Sequence, residues 1–261
     1  MDQRLLDIGG VRIALSEAGK GRQILVLHGI EKLEAEPPLV DLLARRARVI
    51  APSHPGFGRS PLPDWIDSID DLAYLYLDLL DGLDLREVVL VGLSMGGWIA
   101  AEMAVKCAAR LSHLVLVSPL GLKTGDRETR DIPDIFALSP DEVSRLVWHD
   151  RALAPDLGTM SEEAAEQLLK HQEAAALYLW EPYMHDPKLG RRLHRVKIPT
   201  LVLRGTHDGL VSERIARAYS AGIPGARYEA VADAGHAADY EKPRLLADHI
   251  LRFAGLAMTA E

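Results

Sequence analysis

A serine flanked by glycines follows a short apolar run near the middle of the chain. The run VVLV (residues 88–91) leads directly into GLSMGG, in which glycines stand two positions before and two positions after Ser94. Glycines at these positions let a strand turn sharply into a helix, which leaves the serine hydroxyl exposed at the turn. A serine hydroxyl is a weak nucleophile at neutral pH, so a nucleophilic Ser94 needs a base and a carboxylate from elsewhere in the chain.

Two later segments offer that base and that carboxylate. Asp208 follows the apolar run TLVL (200–203), and His236 follows YEAV (228–231). A histidine held by a carboxylate is the usual activator of a serine nucleophile. The residues therefore predict a Ser94–His236–Asp208 triad, provided that the three strand ends lie side by side.

The distribution of apolar runs predicts a fold that meets this condition. Short runs at 24–27, 48–51, 88–91, 114–117, 200–203 and 228–231 are bounded by glycine or proline, as is typical of buried parallel strands. Helical segments alternate with them, which predicts an α/β fold with a doubly wound, mostly parallel sheet and helices on both faces. Functional groups then gather at the carboxyl ends of the strands.

One long segment interrupts the alternation of strands and helices. Residues 122–193 show no convincing strand, but Ser139 begins a capping box and Ser161 begins a second helix. We expect a core domain formed by residues 1–121 and 194–261. Residues 122–193 are expected to form a helical lid over the strand ends.

Five segments together resemble the α/β-hydrolase superfamily, in its lid-bearing serine esterase and carbon–carbon hydrolase type. They are LVLHG (25–29), HPGFGRS (54–60), VGLSMGGWIAAEMA (91–104), VKIPTLVLRGTHDGLV (196–211) and AGHAADYEKP (234–243). The resemblance implies that Ser94 attacks a carbonyl, His236 carries the proton and Asp208 orients His236. It also implies an oxyanion hole made by the backbone N–H groups of Ile30 and Met95.

Other residues compete for each of these roles. Ser60 and Ser118 also follow predicted strands, although the resemblance makes the Ser60 loop structural. His207 is next to Asp208, but residues adjacent in sequence form the histidine–carboxylate hydrogen bond poorly. Asp126 is an alternative acid, since some relatives carry the acid after the strand that precedes the lid.

The substrate side of the site is less defined by the sequence. Trp148, Trp180 and Tyr183 are expected to contribute to an apolar ceiling in the lid. Glu31 departs from the small or apolar residues that relatives carry after the His-Gly pair. Glu31 is expected to point to solvent or to pair with Lys32; the alternative is that it selects substrates with a cationic or hydrogen-bond-donating group.

Composition limits the partners and the location. The chain has 261 residues and a net charge of −8, which argues against nucleic-acid binding, and no apolar run is long enough to span a membrane. Its single cysteine, Cys107, lies in an apolar helical stretch and is expected to be buried. No paired spacing of metal ligands occurs, so we expect no metal unless distant residues assemble a site, no cofactor, and a cytoplasmic location.

We therefore expect a serine hydrolase that acts on a small to medium carboxylic ester. Ser94 argues against the relatives that use aspartate as nucleophile, namely epoxide hydrolases and haloalkane dehalogenases. Alternatives are hydrolysis of a carbon–carbon bond in a ring-cleavage product, cofactorless perhydrolysis, and ligand binding by a protein that retains the fold. The sequence leaves the oligomeric state open.

Overall fold

An eight-stranded sheet forms the centre of the computed structural model, which describes residues 2–30, 38–126 and 128–256. In spatial order the strands are β1, β2, β4, β3, β5, β6, β7 and β8. Their bounds are β1 Asp2–Ile8, β2 Val11–Ala18, β3 Gln23–Leu27, β4 Arg48–Pro52, β5 Val88–Leu93, β6 Leu111–Val117, β7 Thr200–Gly205 and β8 Arg227–Val231. Pairing is parallel from β4 through β8 in that order, which confirms the predicted doubly wound sheet.

The antiparallel edge of the sheet comes from the first two strands, which sequence analysis did not predict. β1 pairs with β2, and β2 pairs with β4, both antiparallel. Gly9 and Gly10 have φ angles of 58° and 89°, as a tight two-residue hairpin turn requires. The Gly-Gly pair between two half-polar runs is the signal that could have predicted this hairpin.

Helices cover both faces of the sheet. Their bounds are α1 Pro38–Ala44, α2 Ile69–Gly82, α3 Met95–Lys106, α4 Pro140–Val147, α5 Glu162–Leu179, α6 Leu189–Arg192, α7 Glu213–Gly222, α8 Ala238–Glu241 and α9 Pro243–Phe253. One apolar cluster joins α2, α3 and α7 to one face of the sheet, and a second joins α1 and α9 to the other. Central strands supply both clusters alternately: Val88 and Leu90 face one, Val89 and Val91 the other.

Sequence signals fix several helix starts. Ser68 caps α2, Ser139 forms a capping box with Glu142 at the start of α4, and Ser161 caps α5. The expectation for Cys107 was wrong, because α3 ends at Lys106 and the cysteine is exposed just beyond it.

The segment between β6 and β7 contains helices and 3₁₀ turns but no strand among its described residues. It contacts the loops at the strand ends through hydrogen bonds. The N–H of Gly209 donates to Leu146 O at 2.9 Å, and the Tyr178 hydroxyl donates to Pro55 O at 3.1 Å. In the described ranges, every helix is too short or too polar to cross a membrane. The division of the chain at residues 122 and 193 stays a prediction.

Candidate active site

Three side chains from distant parts of the sequence meet above the carboxyl ends of the strands. Ser94 lies between β5 and α3, Asp208 lies in the loop after β7, and His236 lies in the loop after β8. Ser94 Oγ is 2.8 Å from His236 Nε2, and His236 Nδ1 is 3.0 Å from Asp208 Oδ2. All three residues are buried. The predicted nucleophile, base and acid are thus joined in hydrogen-bonding order.

The turn that presents Ser94 is strained and requires glycine on both sides. Ser94 has φ 50° and ψ −115°, a conformation that residues with a side chain rarely adopt. A Cβ on Gly92 would lie 2.3 Å from Gly96 O, and one on Gly96 would lie 2.2 Å from Leu27 O. α3 begins immediately after the serine, so the positive end of its dipole faces the site.

The surroundings of Asp208 keep its carboxylate charged. Oδ1 accepts the N–H groups of Leu210 and Val211 at 2.9 and 2.8 Å, while Oδ2 faces His236. Burial alone would raise the pKa of Asp208, but the His236 imidazole and the backbone donors outweigh it and lower the pKa below its ordinary value. A charged acceptor at Nδ1 places the imidazole proton there, which leaves Nε2 free to accept the Ser94 proton.

Two residues that sequence analysis missed hold the loops of the triad. Arg204 donates from its guanidinium to Asp208 O at 2.6 Å and to Val211 O at 2.7 Å. Its signal is a charged residue inside an otherwise apolar strand. Glu241 accepts from the N–H of Gly235 at 2.5 Å and from the N–H of Asp150 at 2.6 Å, so it links the loop of the base to the segment after α4.

The competing candidates lie elsewhere or have other partners. The Ser60 hydroxyl accepts one backbone N–H at 2.8 Å and donates to one backbone carbonyl at 2.7 Å, a structural role. Ser118 is buried directly after β6, and its hydroxyl lies beside the carboxylate of Asp208, where it helps to lower the pKa of that group. Asp126 is exposed and accepts hydrogen bonds from its own turn. His207 is exposed and contacts the hydroxyl of Thr206.

The two predicted oxyanion donors lie on segments that contact one another. Met95 is the buried first residue of α3, and Ile30 lies three residues beyond β3. The first turn of α3 packs on that loop, because a Cβ on Gly96 would be 2.5 Å from His28 O. The donor role of Ile30 and Met95 stays a prediction.

A buried histidine pair fixes the loop that carries Ile30. The N–H of His54 donates to His28 Nε2 at 3.0 Å, and His54 Nε2 lies 3.0 Å from His28 O. His28 Nδ1 lies 2.7 Å from Gly29 O. The Tyr76 hydroxyl is 2.5 Å from His54 Nδ1, and burial raises the pKa of Tyr76 well above its ordinary value. Because a carbonyl only accepts, His54 Nε2 carries the proton of a neutral ring, so Nδ1 accepts and the phenol is the donor. Both histidines are thereby positioned as structural groups.

A cavity of about 380 Å³ adjoins this loop. Apart from Ile30, its described lining lies between residues 135 and 175. Most of that lining is apolar and includes Phe136, Leu138, Val147, Trp148 and Leu168; the polar members are Ser144, His171 and Gln172. The carbonyl of Val147 accepts the N–H of His236 at 2.8 Å, which joins the cavity wall to the loop of His236, although the described lining includes none of the three triad residues.

The residues expected to contact substrate occupy different places. Trp148 is buried and lines the cavity. Trp180 is 57% exposed and packs edge-on against Phe136, while the Tyr183 hydroxyl bonds backbone groups within the same segment. Neither is brought to the described lining of this cavity. Glu31 lies outside the described residues.

Among the described residues, one group of side chains has the composition and spacing of a metal site, and it lies on the outer surface. It consists of His149, His207 and Asp233. In the triad, both ring nitrogens of His236 are already engaged, one by Asp208 and the other by Ser94.

Comparison with known proteins identifies the family. The family model described as "Alpha/beta hydrolase family" matches residues 24–249. The chain belongs to this family.

Individual relatives share about a quarter of the sequence. An uncharacterised protein of Mycobacterium tuberculosis is 27% identical over 97% of this chain and 81% of its own. A 2-hydroxy-6-oxononadienedioate/2-hydroxy-6-oxononatrienedioate hydrolase of Paraburkholderia phymatum is 28% identical over 94% of this chain and 91% of its own. The crystal structure of CarC, a serine hydrolase involved in carbazole degradation, superposes with a TM-score of 0.79 at 26% identity and covers 98% of this chain and 99% of its own.

Proposed function

We propose that the protein is a serine hydrolase that cleaves a small to medium carboxylic ester. The observation that carries the proposal is the continuous hydrogen-bonded series from Ser94 through His236 to the charged Asp208. The strained turn at Ser94 supports it, since strain of this kind is retained where a surrounding structure holds a reactive group in place.

The geometry supports a two-stage reaction. His236 Nε2 takes the proton of Ser94 as Oγ bonds to the ester carbonyl carbon. The negative oxygen then faces the N–H groups of Ile30 and Met95. Return of the proton to the leaving alcohol breaks the ester bond and leaves an acyl-serine. Water, deprotonated by His236, attacks this intermediate, and the proton returns to Ser94 when the carboxylic acid leaves.

Residues 122–193 act as a lid in this proposal. They supply nearly all of the described cavity lining, and the carbonyls of Leu146 and Val147 accept N–H groups from the loops of Asp208 and His236. The triad residues are not in that described lining, so in this proposal a substrate held among the lid side chains extends past Val147 to reach Ser94.

The cavity favours an ester with an apolar acyl or alcohol part. No lysine or arginine is present in its described lining, and its charge-capable member, His171, is engaged by the N–H of Gly58 at 2.9 Å. A neutral substrate can shed its water in such a cavity at low cost, whereas a carboxylate without a cationic partner cannot.

The alternative is hydrolysis of a ring-cleavage product. It is favoured by the relative from Paraburkholderia phymatum, whose name specifies a dienedioate substrate, and by the likeness to CarC. A dienedioate has two carboxylates, and the described lining offers them no lysine or arginine, while His171 Nε2 already accepts the N–H of Gly58. Because the cavity suits a neutral ester better than a dicarboxylate, we propose the ester as the substrate and the ring-cleavage product as the alternative.

The first experiment is labelling with a fluorophosphonate, followed by intact-protein mass measurement. Ser94 Oγ displaces fluoride from phosphorus, so the wild type gains one adduct and Ser94→Ala gains none. Chromogenic esters of increasing acyl length and a ring-cleavage product are then compared for kcat/KM. Ester turnover abolished by Ser94→Ala supports the proposal, with an expected loss of about 10⁵–10⁶-fold in kcat.

Turnover confined to the ring-cleavage product would replace the ester by the alternative. One adduct without multiple turnover of either substrate would identify a ligand-binding protein.

Trp148→Ala tests the cavity. Since one methylene in an apolar pocket changes kcat/KM by about 10–200-fold, the ratio of long to short esters is expected to rise by at least about tenfold. Trp65, which is 63% exposed and outside the cavity lining, provides the control Trp65→Ala with an unchanged ratio. An unchanged ratio in Trp148→Ala would place the acyl group elsewhere.

A further inference from the structure

Three potential metal ligands from separate segments meet on the outer surface beside the triad. One ligand atom each of His149, His207 and Asp233 lies within 4.8 Å of the other two, and all three residues are exposed. The two imidazole rings stack with centroids 3.8 Å apart and an interplanar angle of 17°. Two of the three side chains are imidazoles and one is a carboxylate, so the group is more than a cluster of acidic side chains.

The composition of the group suits a transition-metal dication. Two imidazoles and one carboxylate form a common ligand set for Zn²⁺, with water in the fourth position. Tetrahedral bonds of about 2.1 Å separate ligand atoms by about 3.4 Å, so the side chains close by little more than 1 Å. Because they are exposed, the rings can turn out of their stack without displacing the core.

A hydroxyl behind the group orients two of the ligands. Thr206 Oγ1 lies 3.0 Å from His207 Nδ1 and accepts the backbone N–H of Asp233 at 3.0 Å. When His207 donates its Nδ1 proton to this hydroxyl, Nε2 is left to bind a cation. A metal-bound histidine usually has such an acceptor for its other ring nitrogen.

The backbone already fixes the spacing of the three segments. The N–H of His207 donates to Ala234 O at 2.8 Å, which joins the loop after β7 to the loop after β8. The N–H of His236 donates to Val147 O at 2.8 Å, which joins the loop after β8 to the segment after α4. Each ligand thus starts from a defined position.

We propose that His149, His207 and Asp233 bind a divalent transition-metal cation that fastens the segment after α4 to the core. His207 directly precedes Asp208, and Asp233 is three residues before His236. His149 is two residues after Val147, at the cavity wall. The cation therefore holds the segment after α4 against the two loops that carry His236 and Asp208.

Isothermal titration of Zn²⁺ into the untagged chain tests the site. Loss of an outer-shell partner alone weakens metal binding by about 10–100-fold, so loss of a ligand in His207→Ala is expected to weaken it by at least tenfold. Asp233→Asn is expected to do the same. Asp233 has φ 52°, which asparagine also adopts readily, so the backbone is retained.

Two controls separate this site from other exposed metal-binding groups. His194 and Cys107 are exposed and lie elsewhere, so His194→Ala and Cys107→Ser are expected to bind Zn²⁺ as the wild type does. Affinity that is unchanged in His207→Ala and Asp233→Asn, or lost in either control, overturns the proposal.

Hydrogen exchange provides a second measurement that does not depend on activity. With Zn²⁺ bound, backbone amides of residues 148–153 are expected to exchange more slowly in the wild type and unchanged in His207→Ala, because the cation opposes local opening. Binding without this protection would refute the fastening role.

Discussion

Replacing Asp208 by asparagine tests how the acid controls the base. The oxygen of Asn at position 208 would have to take the place of Oδ1, because two N–H groups, from Leu210 and Val211, point at that position. The amide nitrogen would then face His236 Nδ1 across 3.0 Å. Since that nitrogen donates, Nδ1 would have to accept and the imidazole proton would move to Nε2.

The shift of the imidazole proton from Nδ1 to Nε2 determines how far kcat falls. Nε2 lies 2.8 Å from Ser94 Oγ, and a protonated Nε2 is unable to accept the serine proton. The same change of tautomer in another serine triad lowers kcat by about 10⁴-fold. At about 1.4 kcal/mol per factor of ten, the barrier rises by about 5 kcal/mol.

The assay is hydrolysis of a chromogenic ester at neutral pH, with fluorophosphonate labelling as a measure of serine reactivity alone. Both rates are expected to fall in Asp208→Asn while the fold is retained, since every backbone donor keeps an acceptor. Asp126→Asn is the matched control, because Asp126 is exposed and its carboxylate accepts hydrogen bonds from Glu128 and Thr129 of its own turn; its rates should equal those of the wild type. Asp208→Asn that kept more than about a tenth of the activity would refute the argument from the tautomer.

Two further substitutions test the supports of the site, both by urea denaturation. Gly96→Ala places a Cβ 2.2 Å from Leu27 O. It is expected to lower the free energy of unfolding by about 1–3 kcal/mol and to reduce ester turnover. A fully stable and active variant would contradict the close approach of the two segments. Tyr76→Phe leaves buried His54 Nδ1 without its phenol donor and should cost about 1–3 kcal/mol. The exposed Tyr74→Phe should change stability by less than about 0.5 kcal/mol, and equal effects of the two would argue against the hydrogen bond.

The parts of the fold that could be predicted are those whose structure is determined by residues close together in the sequence. The strands β3 to β7 were recognised because a central parallel strand is buried on both faces and is apolar throughout, as Val88–Val91 shows. The sixth predicted strand, β8, lies at the edge of the sheet, and Val231 is its one buried residue. The hairpin was missed because β1 is the edge strand and β2 is its neighbour, and in both of them polar residues such as Arg4 and Arg12 are interspersed with apolar ones. Its turn glycines were the remaining signal.

The same distinction applies to the site. The turn at Ser94 could be predicted because glycines stand two residues before and two residues after it. A side chain at either position would collide with nearby backbone atoms. The support of Asp208 by Arg204 and the link through Glu241 depend on loops that come together only in the fold. The surface histidines, 58 positions apart in sequence, became visible as neighbours only in three dimensions.

In the proposed function, substrate choice depends on residues 122–193, the part of the chain that sequence patterns define least. Capping residues predicted where α4 and α5 begin, but a cap does not determine which side of a helix faces the cavity. Trp148 and Trp180 looked equivalent in sequence, yet one is buried in the cavity wall and the other is 57% exposed. The triad can attack an ester or a ketone carbonyl with the same atoms, so triad variants alone leave these reactions unresolved. Variants of the side chains that line the cavity, compared across both substrate classes, are therefore the ones that separate these two reactions.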